Sequence, residues 1–254
     1  MMEYLDTHCH ITKYRQPLRI IESAEESKVG IIAVTELPSE FRALVLKLGS
    51  RPGAMPALGL HPLLAKKASP IEMSLFKHML ARTKFVGEVG LDFSQQDIST
   101  RRRQIEVFEA ILMQPGIQEK ILTVHSRRAE TETIDYIIQS HVAAVLHWYS
   151  GPVKYIERAL DAGIYFSINL AMMRSSHGKR VLAAVPQDKI LLETDGPYIN
   201  IGPRPIEPKD IPSVVNMLTN CWDLTPKEVL EQVRNNILAL RMRVKTEDEI
   251  VDDP

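Results

Sequence analysis

The stretch Glu3-Tyr-Leu-Asp-Thr-His-Cys-His10 decides the fold class of this 254-residue chain. It begins as a short apolar strand, predicted over Glu3–Thr7. It ends in two histidines, where a doubly wound nucleotide-binding sheet carries a glycine-rich phosphate loop. A doubly wound open sheet is therefore the less favoured alternative. The stretch instead predicts the first strand of a (β/α)8 barrel of the TIM type, in which functional side chains follow the carboxyl ends of the strands.

Strand and helix patterns alternate along the rest of the chain. Short apolar or β-branched runs alternate with amphipathic stretches, and Gly, Pro or polar residues separate them. Eight strands with helices between them, in about 250 residues, fit an α/β barrel. The predicted strands are Glu3–Thr7, Gly30–Thr35, Ala54–Leu60, Lys84–Glu88, Lys120–His125, Ala143–His147, Gly163–Ile168 and Lys189–Glu193. The predicted helices are Pro17–Lys28, Ser39–Leu48, Ile71–Arg82, Thr100–Leu112, Ala129–Ser140, Val153–Ala162, Lys179–Val185, Lys209–Cys221 and Pro226–Met242.

Composition sets the domain organisation and excludes several classes of protein. With 44% hydrophobic and 25% charged residues, the chain is ordinary globular material rather than disordered, collagen-like or coiled-coil. We predict one barrel domain over residues 1–245 and an acidic, disordered tail over residues 246–254. The net charge of −1 gives no general attraction to polyanions or membranes, so any recognition of phosphate must be local.

Two further features predict a cytoplasmic protein. No apolar run approaches the roughly 18 residues that span a bilayer, and Met1–Asp6 lacks the pattern of a signal peptide. The two cysteines, Cys9 and Cys221, are too few for a disulfide scaffold in a chain of this length, so we expect both to be reduced. The pattern shows no exposed apolar stripe, and we expect a monomer without membrane contact.

Residue types that bind metals fall at the predicted strand ends. In a barrel these ends open on one face, so residues far apart in sequence converge. His8 and His10 are two apart on an extended segment and can chelate one ion together. The whole set offers more donors than one tetrahedral ion uses, and two ions that share a carboxylate account for the surplus. The candidate metal ligands are His8, His10, Glu88, His125, His147 and Asp195.

Six motifs resemble the successive signatures of the TatD family. This family consists of metal-dependent hydrolases of the amidohydrolase superfamily, and its best-known members are deoxyribonucleases. The matches run in family order from residue 6 to about residue 240. The motifs are Asp6-Thr-His-Cys-His10, Gly59-Leu-His-Pro62, Gly87-Glu-Val-Gly-Leu-Asp92, His125-Ser-Arg127, His147-Trp-Tyr-Ser-Gly151 and Leu192-Glu-Thr-Asp-Gly-Pro197.

Within the family, Leu146-His-Trp-Tyr-Ser-Gly151 and Thr194-Asp-Gly-Pro197 resemble the QatD subgroup most closely, a component of a bacterial anti-phage defence cassette. This resemblance implies other cassette proteins as partners. Three departures leave the choice of substrate open. Leu63 stands where the family commonly has a second histidine, Ile206 replaces an asparagine, and the loop around Ser94–Ser99 is short and lacks the usual aromatic residue.

The resemblance implies a division of the ligands between two ions. His8, His10 and Asp195 would hold one ion, His125 and His147 the other, and Glu88 would bridge them. Four imidazoles favour Zn, Mn or another transition ion, and the resemblance also admits Mg. A water held between two divalent ions becomes a hydroxide nucleophile near neutral pH. The candidate catalytic residues are Asp195, as the base that orients this water, Glu88 and His61.

Substrate contacts are predicted on the same rim, each beside a structural alternative. The resemblance implies that His61 contacts a phosphate oxygen; otherwise it bonds to a ligand side chain. Arg127 and Arg204 are forked donors suited to phosphate, or they pair with acids of the rim. Trp148 and Tyr149 follow a ligand directly, so each could stack on a base or pack around the metal site.

Three functions are compatible with these features. The preferred one is a two-metal hydrolase of phosphodiester bonds, a TatD-type deoxyribonuclease that acts on DNA single strands or ends as an exonuclease. The second is a hydrolase of an amide or ester, such as an aminoacyl group, because one fold and site serve several chemistries. The third is a partner-binding component of a defence complex, which a set of six convergent ligands disfavours.

Overall fold

The computed structural model describes residues 2–49, 51–94 and 97–244. Its centre is one sheet of eight parallel strands in sequential order, with β1 and β8 lying side by side. This arrangement confirms the predicted (β/α)8 barrel. The strands are β1 Tyr4–Cys9, β2 Val29–Val34, β3 Ala54–Leu58, β4 Phe85–Gly90, β5 Ile121–His125, β6 Ala143–His147, β7 Tyr165–Ile168 and β8 Ile190–Leu192.

The helices pack around the sheet, and local sequence signals fix where several of them begin. In α10, Thr225 accepts a hydrogen bond from the backbone N–H of Glu228, whose carboxylate accepts from the N–H of Thr225 in return. The helices are α1 Pro17–Glu26, α2 Pro38–Leu48, α3 Pro70–Met79, α4 Ile98–Leu112, α5 Glu130–Ser140, α6 Ile156–Asp161, α7 Leu170–Arg174, α8 Ser176–Ala184, α9 Ile211–Trp222 and α10 Pro226–Met242.

Most predicted elements are present, with ends that differ by a few residues. The bounds of β6 and α10 agree with the prediction. Helix α7 was not predicted, and neither was the short antiparallel pair β9 Asn200–Ile201 and β10 Arg204–Pro205. A five-residue helix and a two-residue strand are too short to give a periodic pattern. The acidic tail and part of the Ser94–Ser99 loop lie outside the described residues.

Apolar packing leaves the carboxyl-terminal end of the barrel for the site. A large cluster fills the space between the sheet and the helices, and its core includes Phe41 of α2 and Phe108 of α4. A smaller cluster joins Ile121 and Leu191 of the strands to Leu240 of α10. Among the described residues, no helix is both long and apolar enough to cross a bilayer.

Candidate metal centre

The residues predicted as metal ligands lie together at the carboxyl-terminal ends of the strands. Strand β1 carries His8 and is followed at once by His10, β4, β5 and β6 carry one each, and the loop after β8 carries the last. Five are buried, and the side chain of His125 is 16% exposed. All but His8 line one cavity of about 460 Å³. The six residues that the fold brings together are His8, His10, Glu88, His125, His147 and Asp195.

Glu88 lies at the centre of the site, with its two carboxylate oxygens facing different histidines. Oε2 is 3.2 Å from His10 Nε2 and 3.6 Å from His8 Nε2. Oε1 is 2.6 Å from His125 Nδ1 and 2.7 Å from His147 Nε2. The carboxylate therefore separates the site into two groups of donor atoms.

The first donor set consists of His8, His10, Asp195 and Oε2 of Glu88. The Nε2 atoms of the two histidines are 3.3 Å apart, and Asp195 Oδ1 lies 3.7 and 3.5 Å from them. The backbone holds Asp195 here, because its N–H donates to the carbonyl oxygen of His8 at 2.9 Å. The two histidines do direct their Nε2 atoms to one place, as their spacing predicted, with His8 on β1 and His10 just after it.

The second donor set consists of His125, His147 and Oε1 of Glu88. His125 Nδ1 and His147 Nε2 are 3.2 Å apart. His61 Nε2 lies 3.4 Å from the same Glu88 oxygen, beside this set. A different combination of His8, His147 and Glu193 also brings three donor atoms together. We favour the grouping around Glu88, because His147 Nδ1 is 3.9 Å from Glu193 whereas its Nε2 is 2.7 Å from Glu88.

Outer side chains hydrogen-bond to the rings of two ligand histidines and lie beside the ring of a third. His8 Nδ1 is 2.6 Å from Thr123 Oγ1, and His125 Nε2 is 2.9 Å from Asp92 Oδ2. His147 Nδ1 faces Glu193 Oε2 at 3.9 Å and has no hydrogen-bond partner among the described residues, while Glu193 accepts hydrogen bonds from the Ser167 hydroxyl and the Asn169 side-chain amide. Such outer contacts fix the tautomer and orientation of a ligand imidazole.

The charges of the site favour a bound cation. Burial alone would raise the pKa of Glu88, but the imidazoles of His61 and His147 hold that pKa well below its usual value. Burial and the carboxylates of Glu193 and Glu88 raise the pKa of Asp195 well above its usual value. Asp195 Oδ1 is buried and has no hydrogen-bond partner among the described residues. The nitrogen and carboxylate donors, together with this unsatisfied oxygen, fit divalent metal ions.

Three of the predicted substrate contacts line the cavity. His61 follows β3, and its Nδ1 accepts a hydrogen bond from the N–H of Leu63 at 3.1 Å, which leaves Nε2 directed to Glu88. Arg127 follows β5 and is exposed on the cavity wall. Trp148 follows β6 and lines the cavity too. The structure places all three side chains where a substrate could reach them.

The structure does not bring the other two predicted contacts into the cavity. Tyr149 is 1% exposed; its ring packs on Phe166, and its hydroxyl donates to Pro152 O at 2.9 Å. Arg204 lies on β10 and makes a two-pronged ion pair with Asp210 at 2.7 and 2.8 Å. Tyr149 packs in the core, and it is Trp148, the residue before it, that faces the cavity. The guanidinium of Arg204 is paired with the buried carboxylate of Asp210 instead of facing a substrate.

Two residues of the rim were not predicted from the sequence. The ring of Tyr198 packs edge-on against His10 with a centroid separation of 4.9 Å, and its hydroxyl donates to Glu36 Oε1 at 3.0 Å. Glu36 lies two residues after the end of β2. The signal for Glu36 in the sequence was its position near the end of a predicted strand, the same signal that marks the histidines.

A (β/α)8 barrel that gathers imidazole and carboxylate donors at its strand ends defines a metal-dependent hydrolase. The chain belongs to the TatD related DNase family, whose model matches residues 5–241. It is 27% identical to Deoxyribonuclease TATDN3 of Homo sapiens, over 93% of each chain. It is also 27% identical to the uncharacterized metal-dependent hydrolase MJ1582 of Methanocaldococcus jannaschii, over 92% of this chain and 95% of that one.

A solved structure shares the fold. The crystal structure of YjjV, a TatD homologue from Escherichia coli K12, matches with a TM-score of 0.85 and 24% identity. The match covers 94% of this chain and 98% of that one. The family match and the fold agree with the class that the donor atoms define.

Proposed function

We propose that this chain is a two-metal-ion phosphodiesterase, a TatD-type deoxyribonuclease that removes nucleotides from DNA ends. One observation carries the proposal: the two oxygens of Glu88 face separate donor sets, as a carboxylate bridging two ions would. His8, His10 and Asp195 would hold one ion, and His125 and His147 the other. When bound, the ions would supply a water of lowered pKa and neutralise charge on phosphorus.

The protein side chains have separate roles around that chemistry. The carboxylate of Asp195 would hold an ion through Oδ1, which is buried and has no hydrogen-bond partner among the described residues, and would accept a proton from the attacking water through its other oxygen. His61 Nε2 and the guanidinium of Arg127 would donate to phosphate oxygens on the cavity wall. Trp148 would stack on the terminal base, and its backbone N–H is anchored on Glu193 at 3.1 Å.

The size of the cavity favours action at a chain end. Its volume of about 460 Å³ suits a terminal nucleotide, and Trp148 and Tyr198 are part of its wall. DNA is the proposed substrate because the human relative carries the name deoxyribonuclease. The native ion would be Zn, Mn or Mg.

The biological setting is part of the same proposal. The motif at His147–Gly151 supports a role in an anti-phage defence cassette, with the other cassette proteins as partners. We propose a cytoplasmic location, which the unpaired Cys9 and Cys221 favour, and take the enzyme to act as a monomer.

The test is cleavage of end-labelled single- and double-stranded DNA with Mn, Mg, Zn or a chelator. We expect metal-dependent laddering from one end, and its loss in Glu88→Gln and Asp195→Asn. Cys221→Ser, an exposed change on α9, is the matched control and should cleave like the native chain. A metal-loaded sample that hydrolyses aminoacyl esters or amides but no DNA would contradict the proposed substrate.

A further inference from the structure

A group of polar side chains lies outside the donor sets, on the rim between β1, β2 and β8. We call Lys13, Glu36, Glu40 and Tyr198 the rim network. Lys13 Nζ lies 2.8 Å from Glu36 Oε2 and 3.3 Å from Glu40 Oε1. The hydroxyl of Tyr198 donates to the other oxygen of Glu36, Oε1, at 3.0 Å. Glu36 is therefore held from two sides.

The network lies beside His10 of the metal centre, through the ring of Tyr198 and the carboxylate of Glu36. His10 directs Nε2 to the first donor set, 3.2 Å from Glu88 Oε2. An imidazole that binds a metal through Nε2 carries its proton on Nδ1. His10 Nδ1 is buried and has no hydrogen-bond partner in the part of the chain that the structure describes. Glu36 Oε1 lies 3.7 Å from it, just beyond hydrogen-bond distance.

We propose that Glu36 is the positioning residue for His10. When an ion occupies the first donor set, Glu36 Oε1 accepts the N–H of His10 Nδ1. This contact fixes the tautomer of His10 and makes its Nε2 a stronger donor. The inference rests on the proposed function, because it takes His10 as a metal ligand.

The surroundings of the other ligand histidines support this assignment. Each of those three rings faces an outer oxygen through its second nitrogen, and the distances run from 2.6 to 3.9 Å. Glu36 gives His10 the partner that would complete the pattern. Its backbone is fixed as well, because the carbonyl oxygen of Glu36 accepts from the N–H of His61 at 2.9 Å. The outer oxygens of the other three rings belong to Thr123, Asp92 and Glu193.

The experiment measures metal affinity rather than activity. Native protein, Glu36→Leu and Glu36→Gln are stripped of metal and titrated with Zn²⁺ against a chromophoric chelator. We expect one of two ions to bind about 10- to 100-fold more weakly to Glu36→Leu and the other ion to bind as before. Glu36→Gln keeps an acceptor oxygen without the charge, so its loss should be smaller. It also decides the question should the leucine variant not fold.

Glu40→Gln is the matched control. Glu40 bonds to Lys13 and accepts the backbone N–H of Glu36 at 2.7 Å, an acceptor oxygen that glutamine keeps, and no hydrogen bond or ion pair joins Glu40 to His10 among the described residues. It should therefore bind both ions like the native protein. A second readout is the proton resonance of His10 Nδ1 in the Zn-loaded protein, which should lie far downfield in the native chain and move upfield in Glu36→Leu.

The outcomes separate this inference from the proposed function. Native protein that binds two ions, beside a Glu36→Leu variant that binds them equally well, would overturn the positioning role alone. Equal weakening by Glu36→Leu and Glu40→Gln would do the same, because it would reflect loss of the network rather than of the contact with His10. Native protein that binds no ion would overturn the proposed metal centre and this inference together.

Discussion

Replacing Gly59 with alanine should damage both the barrel and the metal centre, because the backbones on either side leave no room for a methyl group. Gly59 follows β3, at a point where β2 and β4 meet. Thr35 N–H donates to Gly87 O, and Glu88 N–H donates to Thr35 O, both at 3.0 Å. A Cβ on Gly59 would lie 1.6 Å from Thr35 O and 2.7 Å from Glu88 N.

The magnitude follows from these distances. Ordinary contact begins at 3.4 Å, so Thr35 O and the new methyl group must separate by about 1.8 Å, the difference between 3.4 and 1.6 Å. That movement breaks the hydrogen bond that positions Glu88. Overpacking costs about 1–3 kcal/mol, and an unsatisfied buried backbone group costs about 1–3 kcal/mol more. At about 2–4 °C per kcal/mol for a chain of this size, the melting temperature should fall by roughly 4–24 °C.

The assay combines calorimetry with metal titration, and Gly30→Ala is the control. A Cβ on Gly30, within β2, would meet its nearest atom, Leu5 Cδ1, at 3.4 Å, which is ordinary contact. We expect Gly30→Ala to change the melting temperature by about 4 °C or less. Gly59→Ala should lose affinity for both ions, since both donor sets share Glu88. A Gly59→Ala protein that melts and binds metal like Gly30→Ala would refute this account.

Three further predictions use the same structure. Trp148→Ala should raise KM for oligonucleotides and Tyr149→Phe should leave KM unchanged, because of these two residues only Trp148 lines the cavity. Tyr149→Phe should instead cost about 1 kcal/mol of stability in denaturant unfolding, because it removes the hydrogen bond from the Tyr149 hydroxyl to Pro152 O. Chelation should lower the melting temperature and readdition of metal should restore it, since bound ions stabilise the folded state; equal melting curves would argue against bound metal. Burial would raise the pKa of Asp210, but the hydrogen bonds and charge of Arg204 outweigh burial. The pKa of Asp210 is therefore lowered from its usual value of 3.8. Because the pKa of Asp210 is lower in the folded state, the stabilisation by its ion pair with Arg204 is present above pH 3.8 and is lost as pH falls through the folded-state pKa. The difference in unfolding free energy between native protein and Asp210→Asn should therefore shrink in that acid range.

The sequence predicted the elements whose pattern is long or whose residues are chemically distinctive. Strand β6 is a run of buried apolar residues that ends in His147, and α10 begins with a capping box. Both elements were predicted with the observed bounds. That the six candidate donors lie together could be predicted because the strand ends of a barrel converge. Single residues at strand ends were enough for that argument.

What the sequence could not give is the pairing of side chains across irregular segments. Arg204 and Asp210 are joined through a turn with no periodicity, so their ion pair could not be read from spacing. Whether Trp148 or Tyr149 faces the cavity depends on the backbone after β6, where Trp148 has a φ of +37°. The contact between Glu36 and His10 joins the loops after β1 and β2, and its partners are separated by a whole helix.

The electrostatics of the site support the proposed metal centre. At the second donor set, imidazoles surround Glu88 and lower its pKa, which keeps the carboxylate charged. On the first side, burial and neighbouring carboxylates push the pKa of Asp195 up, and burial raises the pKa of Glu193 to about 7. Ionised carboxylates this close repel one another in a medium from which water is largely excluded. The barrel fixes the donors on separate strands, so they cannot move apart, and a cation at the first donor set is the direct way to relieve the repulsion. Metal affinity and fold stability should therefore change together when the strand ends are perturbed.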